Sequence, residues 1–485
     1  MKITTAVCAF RAGLVLAGLT AFGVAPAVSA SELHAGAAVV GITPDRPVAL
    51  SGQMHTRISR EVASPVVAAA LALESRDGEK VLDQAILVAC DLVAIPHPVL
   101  DKARVHVRRR IPGFDDRKLI LSATHTHTAP VVEEGNYEIP KDGVVQPGEY
   151  IAFLAERVAD AAVQAWEARK PSKVGWGLGH AVIAQNRRSV YADGRAVMYG
   201  PTEKADFRGI EGPEDQGVEV LFVWDAEGKL RATAVNVACP AQEVEGESSL
   251  NADFWHQIRE ALHAKHGADL VVLGWTGAAG DQSPHLMYRK RAEDRMRALR
   301  RRSRLEELAA RVVAAWEEAY EGARQEQVAG APLVHKVDRL ELPLRIVTEA
   351  DAASAAAKVE ELSRNPAHRR LMLWHQDVVD RRRKQEAGST SPYTMELHVL
   401  RLGDVAIATN PFELYTQYGI QMKARSRALQ TFLIQLAGPG SYLPTEPAVR
   451  GGGYSAIAES NEVGPEGGQV LSDRTVELIN ALWPE

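Results

Sequence analysis

Cysteine is scarce in this chain, with three in 485 residues. Cys8 lies in a leading segment read below as removable, so Cys90 and Cys239 remain, and two cysteines exclude a disulfide-built scaffold. Each closes an apolar run, which leaves a bridge between them and two buried free thiols equally open. Charge of one sign is also lacking. The formal charge is −6 and no block of like charges forms a tail, which excludes a nucleic-acid footprint. No apolar run reaches the roughly 20 residues of a membrane span, because the leading one, 12–25, is bracketed by Arg11 and Pro26. No transmembrane segment is therefore expected once that leader is gone. Internal repeats and Pro/Gly/Ser-rich linkers are absent too, which points to one large domain.

What is present is ordinary globular material, 46% hydrophobic and 24% charged. The first thirty residues differ. Met1-Lys2 gives a short positive start, an apolar stretch follows, and Ala27-Val28-Ser29-Ala30 has the small-x-small pattern cut by signal peptidases. Residues 1–30 are thus expected to be a cleaved export signal, with 31–485 a single catalytic domain in the periplasm or outside the cell.

Along the mature chain the hydrophobic period alternates between 2 and 3.6. Strands are expected at 66–73 and 81–90, a helix at 99–110 and a strand at 119–121. An amphipathic helix follows at 147–168, with strands at 174–177, 218–224 and 232–238. Beyond them come a helix at 253–265, a strand at 270–275, and strands at 396–401, 405–409 and 431–436. Residues 189–216 read as a long loop. The arginine-dense stretch 289–304 reads as merging into one solvated helix that runs to about Tyr320. The pattern predicts an α/β fold built on a single large mixed sheet with flanking helices.

The segment Ser122-Ala-Thr-His125-Thr-His127-Thr128 follows a buried strand, and residues two apart in extended chain point to one side. Two imidazoles so placed can grip a metal, or be two polar loop histidines. Three more polar clusters also follow apolar strands: Gly280-Asp281-Gln282-Ser283-Pro284, Asn410-Pro411-Phe412-Glu413, and Gly440-Ser441-Tyr442. Strand ends converge on one rim in α/β proteins, so these can meet, with Asn186-Arg187 beside them. Each has a plainer alternative. Ser283 suits a helix cap, Glu413 a first helical turn, Tyr442 packing, and Arg187 a solvated surface.

Taken in order over 38–456, these motifs resemble the neutral, non-lysosomal ceramidases, zinc amidases that release the fatty acid from ceramide. The opening Gly41-Ile42-Thr43-Pro44, the Thr-His-Thr-His segment, Asn186-Arg187, Gly280 to Pro284, Pro411 to Glu413 and Ser441 to Thr445 all have counterparts there. The resemblance implies one zinc ion on His125, Glu413 and Tyr442. It implies His127 as a second imidazole beside the metal, Ser283 as a nucleophile-like hydroxyl, Asp281 of the same loop as a catalytic residue, and Arg187 as an orienting cation. Zinc with an open position lowers the pKa of bound water to roughly 7 and polarises an amide carbonyl.

Two departures stand out. The family's second zinc histidine is missing from Asn236-Val-Ala-Cys239-Pro240-Ala-Gln242-Glu243, where Cys239 or Glu243 is the replacement that ligand chemistry allows. The chain also stops short of the family's C-terminal immunoglobulin-like domain. The expectation is an exported metal-dependent hydrolase that cleaves an amide bond in a small-molecule, lipid or lipid-like substrate. A carbohydrate-active hydrolase or lyase on the same fold is the first alternative. The second, a non-catalytic binding protein that lost its metal, sits poorly with the joint survival of His125, His127, Ser283 and Glu413. Nothing in the sequence fixes an oligomeric state.

Overall fold

The apolar alternation that follows Ser31 becomes three long strands, β1 (Glu32–Gly41), β2 (Val67–Asp77) and β3 (Lys80–Cys90). The structure is a computed structural model and describes residues 31–483. β2 and β3 form a hairpin around Gly78, which takes the positive φ that a tight turn demands. Helix α1 (His97–Arg110) then carries the chain back, so that β4 (Leu119–Ala123) lies parallel to β3.

After α2 (Pro147–Glu167) the same order of events recurs. Antiparallel β5 (Lys170–His180), β6 (Gly217–Asp225) and β7 (Leu230–Val237) are followed by α3 (Phe254–His266) and by β8 (Val271–Thr276), parallel to β7. These strands make one sheet ordered β8-β7-β6-β5-β1-β2-β3-β4, with a parallel pair at each edge. Helices α4 (Lys290–Arg300) and α5 (Arg304–Ala323) come next. The remaining chain gives β9 (Leu333–Leu342), α6 (Glu349–Leu362), α7 (Arg369–Glu386), β10 (Tyr393–Leu402), β11 (Val405–Thr409), α8 (Thr416–Arg425), β12 (Gln430–Ile434) and α9 (Pro465–Asn480). β9 to β12 form a second sheet in chain order.

The two sheets stack. Leu71, Leu87, Leu221 and Trp275 of the large sheet share a core with Leu400, Ile407, Phe432 and Ile434 of the small one. Helices α1 and α2 cover one half of the large sheet's outer face, and α3 and α5 the other. Helices α8 and α9 cover the outer face of the small sheet. The expected mixed α/β sheet with flanking helices is thus present, within a four-layer α/β/β/α arrangement.

Two local expectations are corrected. Residues 189–216 are not one loop but hold most of a three-stranded sheet (Arg188–Tyr191, Ala196–Met198, Phe207–Ile210). The helix expected from 289 to 320 is two helices, broken where Arg301 turns left-handed and Ser303 begins a capping box with Glu306. Cys90 and Cys239 are buried and free. Among the described residues no helix is long and apolar enough to cross a membrane, and the export signal expected at 1–30 lies outside them.

The layering brings four strand ends to one rim. The Ala123 amide donates to Leu436 O at 3.3 Å, the Thr276 hydroxyl to Ala123 O at 3.3 Å, and the Gln435 amide to Thr276 O at 2.9 Å. The polar clusters that follow β4, β8, β11 and β12 meet there.

Candidate active site

Past β4 the backbone is bent sharply to aim its histidines inward. His125 has φ 66°, an uncommon value for a side chain that is not glycine. It is held by its neighbours, with the Thr124 amide on Cys90 O and the Thr126 amide on Leu92 O, while the hydroxyls of Thr126 and Thr128 both donate to Asn251 O. Asp91 lies beneath. It accepts from the Thr124 hydroxyl and makes a buried two-pronged ion pair with Arg259 at 2.7 and 2.9 Å.

The His125 ring donates from Nδ1 to Val93 O at 2.7 Å. Its Nε2 faces Glu413 Oε2 at 3.2 Å and His127 Nε2 at 3.3 Å. Because the Nδ1 proton is spent on Val93, a hydrogen bond to Glu413 requires a second proton on Nε2. The pair is an imidazole facing a carboxylate. Burial alone would raise Glu413, but the His125 charge and hydrogen bond, with Arg187, bring it below the usual carboxylate range.

His127 is different. Burial, then the charges of His125, Arg187 and Arg57, hold it well below the usual histidine value, so the ring is neutral. Gln242 Nε2 donates to its Nε2 at 2.7 Å, and its Nδ1 lies 3.4 Å from Glu245 Oε2. Gly52 backs the ring. A Cβ there would fall 2.5 Å from His127 Cγ, and Gly52 also has φ +99°.

Glu413 and Tyr442 sit in two short strands that pair in parallel. Glu413 is therefore not the first-turn helix carboxylate that its sequence context allowed. The Tyr442 hydroxyl is held well above its usual pKa by burial and by the Glu413 charge. It accepts from Arg187 Nη2 at 3.0 Å. Arg187 is 3% exposed and also donates to Gly280 O at 3.0 Å and to Gln242 Oε1 at 3.2 Å. Burial works against its charge, but Tyr442, Tyr199 and Glu413 more than offset it. Its Nε is buried with no partner among the described residues.

Ser283 lies next to Arg187 through a two-strand ladder, Gln185–Asn186 against Gln282–Ser283. Its Oγ accepts from the Tyr199 hydroxyl at 3.0 Å and from the His285 amide at 3.1 Å. Asp281, expected to be catalytic, is instead an anchor. One oxygen accepts from the Thr416 amide and hydroxyl and the other from Asn186 Nδ2, while its backbone carbonyl takes the Arg187 amide.

Cys239 and Glu243, the expected replacement ligands, turn elsewhere. Cys239 Sγ faces Ile183 O and Pro240 O in an apolar core, with its thiol pushed up by burial. Glu243 pairs with Arg304 at 3.2 Å. Two residues that sequence reasoning missed take part instead. Gln242 bridges His127 and Arg187, and Glu245 stands between His127 and His285, at 3.4 and 3.2 Å. The only signal for either was position, directly after the segment that lacks its histidine.

No family model matches this chain, and no curated protein matches it in sequence. Solved structures do match. The neutral ceramidase from Pseudomonas aeruginosa superposes with a TM-score of 0.66 at 17% identity, over 93% of this chain and 74% of that one. A ceramidase complexed with C2 gives 0.65 at 16%, over 93% and 75%. The chain has the ceramidase fold.

Whether this centre suits zinc is a question of donors. Among the described residues no group of three or more His, Cys, Asp or Glu is arranged to hold a metal ion. His125 and Glu413 face one another, but the His127 Nε2 lone pair is taken by Gln242 and the Tyr442 hydroxyl by Arg187. The residues present do not fit a four-ligand zinc site.

Proposed function

We propose that this chain is a hydrolase that cleaves the acyl–nitrogen bond of a ceramide-like N-acyl substrate at the His125–Glu413–Arg187 centre. The observation that supports it best is a buried arginine with an unspent Nε–H beside the His125–Glu413 pair. A substrate carbonyl meeting that guanidinium would find a fixed positive charge in a water-poor site, where it stabilises the oxyanion formed on attack. The His125–Glu413 pair handles one proton. With Nε2 bare it accepts the proton of the attacking water, and with Nε2 protonated it returns that proton to the nitrogen as the C–N bond breaks. The products are a carboxylate and an amine. Val93 O holds Nδ1, which leaves Nε2 facing Glu413.

The test is fatty-acid release from a panel of N-acyl sphingosines and shorter N-acyl amines by the mature chain. His125→Ala is expected to cut turnover about 10³-fold and Arg187→Ala about 10²-fold, with unchanged circular dichroism. Full activity in either variant overturns the assignment.

One observation favours a second reading, a carbohydrate-active enzyme. A cavity of 540 Å³ adjoins the centre, lined by the cations Lys290, Arg297 and Arg304 and by the carboxylates Glu243, Glu245 and Asp294. Cleavage of uronic-acid oligosaccharides with no release from any N-acyl amide would decide for it.

A further inference from the structure

We infer that this centre is closed to a catalytic metal ion by Gln242 and that the cation it uses is Arg187. The inference rests on the reading of this rim as the reaction centre, though not on which bond is cut there.

Donor geometry carries the first part. Pro240 stands within the segment that lacks the histidine, and its side chain has no ligand atom. Two residues on, Gln242 reaches in, 1% exposed, and both ends of its carboxamide are engaged. Its nitrogen donates to His127 Nε2 at 2.7 Å and its oxygen accepts from Arg187 at 3.2 Å. The orientation is fixed, because a flipped amide would turn its NH₂ toward the guanidinium. The backbone is fixed as well, with the Gln242 amide on Pro240 O and the Ala241 amide on Thr124 O, one residue before His125.

Charge carries the second part. Arg187 Nη2 lies 4.0 Å from Glu413 Oε2 and 3.0 Å from the Tyr442 hydroxyl, so the atoms that would surround a dication already surround a guanidinium. In a buried site like charges repel strongly. A metal entering here would have to displace Gln242 from His127 and share Glu413 with a fixed cation. The Arg187 guanidinium then supplies the fixed positive charge that stabilises an oxyanion.

The experiment measures zinc by plasma mass spectrometry in the full mature chain, purified from zinc-supplemented medium and dialysed, beside Gln242→His and His125→Ala. The wild type is expected to hold less than about 0.1 equivalent. Gln242→His, which puts an imidazole where the carboxamide points, is expected to hold at least tenfold more. Near-stoichiometric zinc in the wild type that is lost in His125→Ala overturns the inference. So does a folded Gln242→His protein that takes up no more than the wild type. Metal content is read without substrate, so a failure of the hydrolase reading leaves this result standing, and the reverse also holds.

Discussion

Gly52 illustrates how tightly single residues are set in this site. It has no side chain, yet its place against the His127 ring leaves no room for one, and its φ of +99° suits only glycine. Gly52→Ala is expected to push the ring from Gln242 and Glu245 and cut turnover at least tenfold, and to lower the melting temperature as well, since the clash and the left-handed φ both strain the fold. Kinetics and calorimetry on one preparation check both halves. At this scale much was legible in sequence. His125, His127, Arg187, Glu413 and Tyr442 were singled out, and the structure brings them together, because each follows a strand and strand ends share a rim. Gln242 and Glu245 were missed for a physical reason. A carboxamide or a carboxylate in a polar loop has no signature until the fold shows what it faces. Asp281 was singled out for its motif, but its four hydrogen bonds serve Thr416, Asn186 and the Arg187 backbone.

The loop that delivers Gln242 is tied down by α3. Asp253, the N-cap of that helix, has φ 53° and accepts from the amides of Phe254 and Val244, two residues past Gln242. Burial pushes its carboxyl up from 3.8 to about 7. Below about pH 4 the folded and unfolded forms both carry the proton, and this group sets no slope. Between 4 and 7 the unfolded chain has lost the proton and the folded chain keeps it, so stability falls as pH rises, and the slope ends above 7. Thermal melts at intervals from pH 4 to 8 are expected to record this decline, and Asp253→Asn is expected to flatten it. Element boundaries were legible where local chemistry marks them, as at Ser303, whose Ser-x-x-Glu run is a capping box read too lightly in a stretch dominated by arginine. The three-stranded sheet formed by Arg188–Tyr191, Ala196–Met198 and Phe207–Ile210 was illegible. Its strands are only three or four residues long and are set among Gly and Asp, and they gain their order from pairing with one another.

At the scale of the whole molecule, sequence periodicity predicted a mixed sheet with helices on it but not the second sheet pressed against its inner face. Pairing of β9 with β10 joins residues some sixty positions apart, and stacking of the sheets joins residues farther still. Local pattern carries no record of such partners. The strand-strand-helix-strand unit that appears at both edges of the large sheet was hidden in the same way, since its two copies share order and not residues.

That doubling gives the free thiols an unplanned use. Cys90 is sealed under α1 and α2, and Cys239 under α3 and α5, so each lies in a different half of the molecule. A buried thiol reacts with an alkylating reagent only while its surroundings open, and its labelling rate is then a clock for that opening. The described residues thus carry two clocks without any engineered probe. Iodoacetamide labelling in rising urea, followed by peptide mass spectrometry, is expected to time the two halves separately below the global transition and together within it. Identical rates at every concentration would mean that the halves never open apart.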